Sequence, residues 1–144
     1  MNALRTSTTT PDCALFGFRL LIAVLIGVHG WYRLLHAGSP VFGDWLLEQG
    51  IPLGNVVAWG ITFAEIIGSA CLAIGVCVRP FALLFMAIYT SGVILIHASE
   101  GWFVVGAGRN GMEYSVLLIG SLALVALRIR EPLWAVIPAK AGIQ

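Results

Sequence analysis

From Asn55 to Val78 the chain reads NVVAWGITFAEIIGSACLAIGVCV, an apolar run with one carboxylate, Glu65, near its middle. As a helix, its roughly 24 residues at ~1.5 Å each cross a ~30 Å hydrocarbon core. Glu65 then lies roughly 15 Å below a membrane surface. An unpaired carboxylate is costly there, so it either stays protonated or has a partner. The same run offers a helix-packing face. Gly60, Ala64, Gly68, Cys71 and Gly75 recur at three- and four-residue steps and let another backbone approach. Thr62, Glu65 and Ser69 form a polar stripe one residue round from it.

Three further apolar stretches fit the same environment. Of 144 residues 59% are hydrophobic and 10% charged, whereas a soluble domain carries about a quarter charged. Most of this surface must face lipid. The fold expected is all-α, an integral membrane antiparallel four-helix bundle, with spans at about 13–35, 55–78, 80–98 and 112–128 inside a domain of residues 13–130. Residues 1–12 read as a disordered polar arm and 131–144 as a tail with two prolines, too short of apolar residues to cross again. Arg19 within the first run, with His29 and Arg33 at its far end, argues against a cleaved signal peptide.

Between the first two spans lies SPVFGDWLLEQGIPLG, which predicts a short interfacial helix near Asp44 to Gln49, with Trp45 at headgroup level and Gly50 as its stop. Arg79-Pro80 predicts a tight turn between the second and third spans. Four spans place Arg5, Arg19, Arg79, Arg128, Arg130 and Lys140 on one side, against Arg33 and Arg109 on the other. The expected location is the bacterial cytoplasmic (inner) membrane, with both termini cytoplasmic. A net charge of +1 with no basic stripe points away from nucleic acid. Cys13, Cys71 and Cys77 form no C-x-x-C pair and read as small apolar residues.

This threading brings the embedded polar residues to one end. His29 and Arg33 are four apart on the first span, Met86, Thr90, Val93 and His97 form a stripe on the third, and Glu113 opens the fourth beside Arg109. Glu65 is the deepest. Each has a plainer role: arginines snorkelling, Glu113 at a helix start, His97 bonding loop backbone, tryptophans as interface anchors. Three chemistries use such a set. His29 and His97 are the residue types that hold a haem from both sides, but nothing else supports haem. Di-metal bundles use a Glu-x-x-His spacing that is absent, so no metal site is assigned. A quinone pocket needs no metal spacing; His and Glu handle carbonyl oxygens and protons, and Trp31, Trp59 and Tyr114 are candidate walls for the ring.

RLLIAVLIGVHGWYRLL at the first span, FGDWLLEQGIP after it, and FAEIIGSACLAIGVCVRP at the second resemble the DoxX/DoxD-like family of small four-span bacterial membrane proteins. His97 before an aromatic, Gly-rich loop and Glu113 opening the last span extend the resemblance over roughly residues 15 to 128. It carries over His29, Gly30, Glu65, Gly75, Arg79, His97 and Glu113. The family implies a cytoplasmic-membrane bundle linked to quinol oxidase and thiosulfate:quinone oxidoreduction, with other members tied to oxidative stress and thiol handling. Where many members have a Gly-rich Ser-Leu-Asp stretch after the last span, this chain has Arg128, Arg130, Glu131 and Pro132. Two classes of function stay open: a redox accessory subunit, not catalytic alone, or a non-catalytic assembly subunit. Partners expected are the lipid bilayer, other membrane-complex subunits or a homo-oligomer, and a quinone. Small-solute transport is disfavoured because the inner half offers few polar residues for a path.

Overall fold

A computed structural model describes residues 10–106 and 109–128. The chain forms α1 (Thr10–Leu35), α2 (Gly38–Glu48), α3 (Gly54–Ile74) and α4 (Val78–Gly92), a π-helical turn (Val93–His97), and α5 (Glu113–Arg128). Three stretches are long and apolar enough to cross a membrane, Cys13–Leu35, Gly54–Ile74 and Val78–His97; Glu113–Leu127 is a shorter apolar helix. Their outward faces are apolar, as Leu21, Val24 and Val28 on α1 and Val56, Phe63 and Ile67 on α3 illustrate. A surface of this kind suits lipid.

Helix α1 packs on α3 and α5, and α4 packs on α3 and α5. One apolar core joins them: Ile22 and Ile26 from α1, Leu72 from α3, Ala82 and Phe85 from α4, Leu118, Leu122 and Val125 from α5. It fills the end of the molecule nearest the α3–α4 connection.

Several boundaries differ from the sequence expectation, each for a local reason. Helix α1 takes in residues 10–12, assigned above to the arm; residues 1–9 and the expected tail, 131–144, lie outside the described residues. Helix α3 stops at Ile74 instead of running to Val78. Gly75 adopts φ 82°, and its N–H and that of Val76 bond back to Leu72 O and Cys71 O. This left-handed stop favours glycine, so Gly75 ends the helix. Arg79 and Pro80 are not the turn itself. They occupy the first turn of α4, where a missing proline N–H leaves no intrahelical bond unmade.

Helix α2 is longer than Asp44 to Gln49, starting at Gly38 with Pro40 in its first turn. It lies along the start of α3. A Cβ at Gly43 would sit 2.6 Å from Asn55 Cα, and one at Gly54 would sit 2.8 Å from Leu47 N. The two backbones touch because both positions lack a side chain.

Candidate functional site

The face that α3 turns to its neighbours is Ala58, Thr62, Glu65, Ser69 and Leu72, all buried. It is the polar stripe, not the line of small residues. Gly60 meets open space, Ala64 is half-buried, and Gly68 alone receives a neighbour closely, the rings of Phe81 and Phe85. The small residues that admit α3 stand on α1 instead. A Cβ on Gly30 would lie 2.9 Å from Thr62 O and 3.0 Å from Glu65 Cβ, and one on Gly27 would lie 2.9 Å from Ser69 Oγ.

That close approach lets Arg33, one turn beyond Gly30, reach Glu65. Its Nη2 donates to Glu65 Oε2 in an ion pair, and its Nε donates to Thr62 Oγ1 at 3.2 Å. Tyr89 of α4 donates its hydroxyl to Glu65 Oε1 at 3.3 Å. Thr62 donates to Ala58 O at 2.8 Å, so its single hydroxyl proton is used. Ser39, 3.0 Å away, must then be the donor to Thr62 Oγ1. Both oxygens of the buried carboxylate and both lone pairs of the threonine are satisfied. Glu65, 2% exposed, thus has the partner that its depth demands.

Beside this network lies a cavity of about 560 Å³. Glu65, Arg33 and Tyr89 border it, with His29 of α1 and His97 of the π-helical turn. Phe42 and Trp45 of α2 form an aromatic wall, their rings stacked with centroids 6.1 Å apart. The Arg33 guanidinium carbon sits 5.3 Å from the Phe42 centroid. Val57, Ile61, Ile88 and Leu95 add an aliphatic stretch to the wall.

His29, Tyr89 and His97 also line a second, smaller space of about 240 Å³, closed by Asn110, Gly111, Tyr114 and Ser115. The loop before α5 covers it by folding back. Gly111 and Met112 donate to Phe103 O and Gly101 O, and Glu113 N–H donates to Trp102 O. His97 Nδ1 lies 2.6 Å from Asn110 O. A carbonyl only accepts, so Nδ1 carries the hydrogen and Nε2 of the neutral ring is left as an acceptor.

Of the residues singled out in the sequence, Glu65, Arg33, His29 and His97 therefore border one cavity. Glu113 does not join them; it accepts from Val104 N–H at 2.9 Å and holds the loop. Arg109 is exposed on that loop. The stripe drawn through Thr90 is also displaced, since Thr90 is exposed and Tyr89 takes the inward position. Trp31 and Trp59 face outward, half and about a third exposed, and Tyr114 walls only the smaller space. Phe42, Trp45, Ser39 and Tyr89 do what sequence reasoning had not assigned to them.

Among the described residues no three His, Cys, Asp or Glu side chains are grouped to hold a metal ion. The family model described as DoxX matches residues 14–98. The chain belongs to the DoxX family. The match covers α1 to α4 and the π-helical turn, and so every residue bordering the larger cavity of this DoxX protein. No curated protein and no solved structure matches it.

Proposed function

We propose that the protein is an accessory subunit of a quinone-linked redox system in the bacterial cytoplasmic membrane, with the larger cavity as a quinone or quinol site. The division of the cavity wall carries this reading. A quinone head is a flat ring with carbonyl oxygens at its edge. Phe42 and Trp45 offer aromatic surface for the ring, while His29 and the remaining N–H groups of Arg33 offer donors. The Nε2 acceptor of His97 suits the hydroxyl of the reduced form. With no nucleotide motif and no cysteine pair in the sequence, the electron-transfer centre belongs to a partner subunit. A sulfur or thiol substrate would act there.

The accompanying architecture is a four-span antiparallel bundle with α2 at the interface. Helix α5, 16 residues and so about 24 Å long, is the shortest span, seated against α1 and α4. The six-to-two distribution of basic residues supports cytoplasmic termini. In cells, a cysteine replacing Glu100 should react with a membrane-impermeant thiol reagent while Cys77 should not. The reverse pattern would invert the topology.

An assembly role, with other subunits or a second copy, is favoured by one different observation. An open apolar groove between α1 and α3, lined by Gly27, Val28, Trp31, Ala70 and Ala73, is exposed. Purifying the protein with its native neighbours and identifying bound quinone by mass spectrometry separates the readings. Quinone lost on Glu65→Gln and His97→Ala supports the redox site. Equal quinone content in wild type and variants, with the partner complex intact, leaves the assembly role standing.

A further inference from the structure

We infer that the cavity is entered sideways, from the bilayer plane between α3 and α4, and that its ligand leaves an apolar chain in that gap while its polar head meets Glu65 and the histidines. This rests on the quinone-site reading and narrows the ligand to a long-chain amphiphile, as opposed to a small water-soluble quinone. The two helices approach closely near their connection, where Gly68 accepts Phe81 and Phe85. Beyond Glu65 and Tyr89 the contact is lost. The buried residues of α4 are Val78, Ala82 and Phe85, all at its first half, and the π-helical turn buries none.

On α3 the buried outer positions, Ala58 and Thr62, belong to the stripe that meets α1 and α2. Val57 and Ile61 are left lining the cavity opposite Ile88 and Leu95. Helix α4 makes no extensive contact with α1 or α2 that would close this side. Val57 and Leu95, 36% and 37% exposed, give the rim an aliphatic surface continuous with the lipid-facing exterior. The loop that His97 and Glu113 hold in place closes the smaller neighbouring space, beyond His97. An aliphatic slot leading to a polar head site suits an amphiphile whose tail remains in lipid.

Gly92 provides the test. It lines the cavity, a Cβ added there meets nothing within 4 Å, and its φ of −61° is ordinary helix. Gly92→Leu should obstruct the slot without straining the backbone, and Gly92→Ala should leave it open. The full chain, purified in micelles, is titrated with a benzoquinone bearing no chain and with the same head carrying a decyl chain. Comparing each variant with wild type cancels partitioning of the quinone into detergent.

Gly92→Leu is expected to weaken the decyl quinone about tenfold or more and the chainless one less than about twofold. Glu65→Gln should weaken both, and Gly92→Ala neither, with melting temperatures showing that the variants are folded. Decyl-quinone binding unchanged in Gly92→Leu, or both quinones weakened alike, overturns the lateral entry while Glu65-dependent binding keeps the cavity reading. No binding of either quinone to wild type removes both.

Discussion

Two arginines on α1, Arg19 and Arg33, show how differently the two ends of the molecule are built. Arg19 stands at the apolar end. Its guanidinium carbon lies 5.4 Å from the Phe16 ring centroid, and its Nε is buried with no hydrogen-bond partner among the described residues. Arg33 also lies over a phenylalanine, but Glu65 and Thr62 take up its donors. At the apolar end Phe85, Leu122 and their neighbours fill the space between four helices. At the other, α4 stands away from α2 and a cavity remains. A charge can be tolerated at either end, but only at the hollow end is it built into the packing. The lesson is that a buried charge is kept by its partners, and that those partners also keep the cavity polar on one side.

The largest effect that would sharpen this contrast is the loss of Arg33. Arg33→Leu leaves Glu65 buried without its cation and should destabilise the fold by about 3–5 kcal/mol. Replacing both partners, as Arg33→Met with Glu65→Leu, should recover most of that. Reversible denaturation in mixed micelles measures it, and a single variant as stable as wild type would mean that the pair contributes nothing. Gly30→Ala comes next. Its new methyl meets the backbone carbonyl of Thr62, so α1 and α3 must part, at about 1–3 kcal/mol. The same denaturation should show Gly60→Ala unchanged, because that position faces open space; equal losses at both would contradict the packing assigned to Gly30. Smallest is Arg19→Leu. Removing an unpaired donor in favour of an apolar side chain should change stability by less than about 1 kcal/mol. A loss as great as that of Arg33→Leu would erase the distinction between the two ends.

The parts of this arrangement legible in the sequence are those with a large energetic consequence. A carboxylate inside an apolar run must stay protonated or find a partner, and the sequence offers Arg33 and His29 at the matching level of the first span; the ion pair goes to Arg33. Apolar length located the helices for the same reason. Finer choices were hidden where two solutions cost nearly the same. Small residues on α3 suggest a packing face, yet glycines on α1 serve the same need and leave the polar stripe of α3 at the contact. Nothing in the sequence singles out Tyr89, because its hydroxyl gains meaning only beside Glu65. Trp45 reads as a surface anchor and Phe42 goes unassigned, since nothing local reveals that α2 folds over a hollow. Gly75 looked like packing although its left-handed geometry makes it a stop. The third-span stripe failed for a different reason: the buried face Val78, Ala82 and Phe85 continues to Tyr89, one residue round from the projected Thr90, and the helix changes period only beyond it, after Gly92.

That change of period bears on how the chain can vary in length. In the π-helical turn Ala98 N–H reaches back to Val93 O, five residues instead of four, which accommodates one extra residue relative to an α-helix. Gly92 and His97, five apart, both border the cavity; with one residue fewer between them they would be four apart, which in an α-helix is again a shared face. A one-residue deletion between them, at exposed Ile94 for example, can therefore be absorbed by closing the turn into ordinary helix. The same deletion within α3 would rotate everything beyond it by about 100° and carry residues off their face. Length variation in this chain is thus expected to be tolerated at one membrane-embedded point, next to the histidine that faces the cavity.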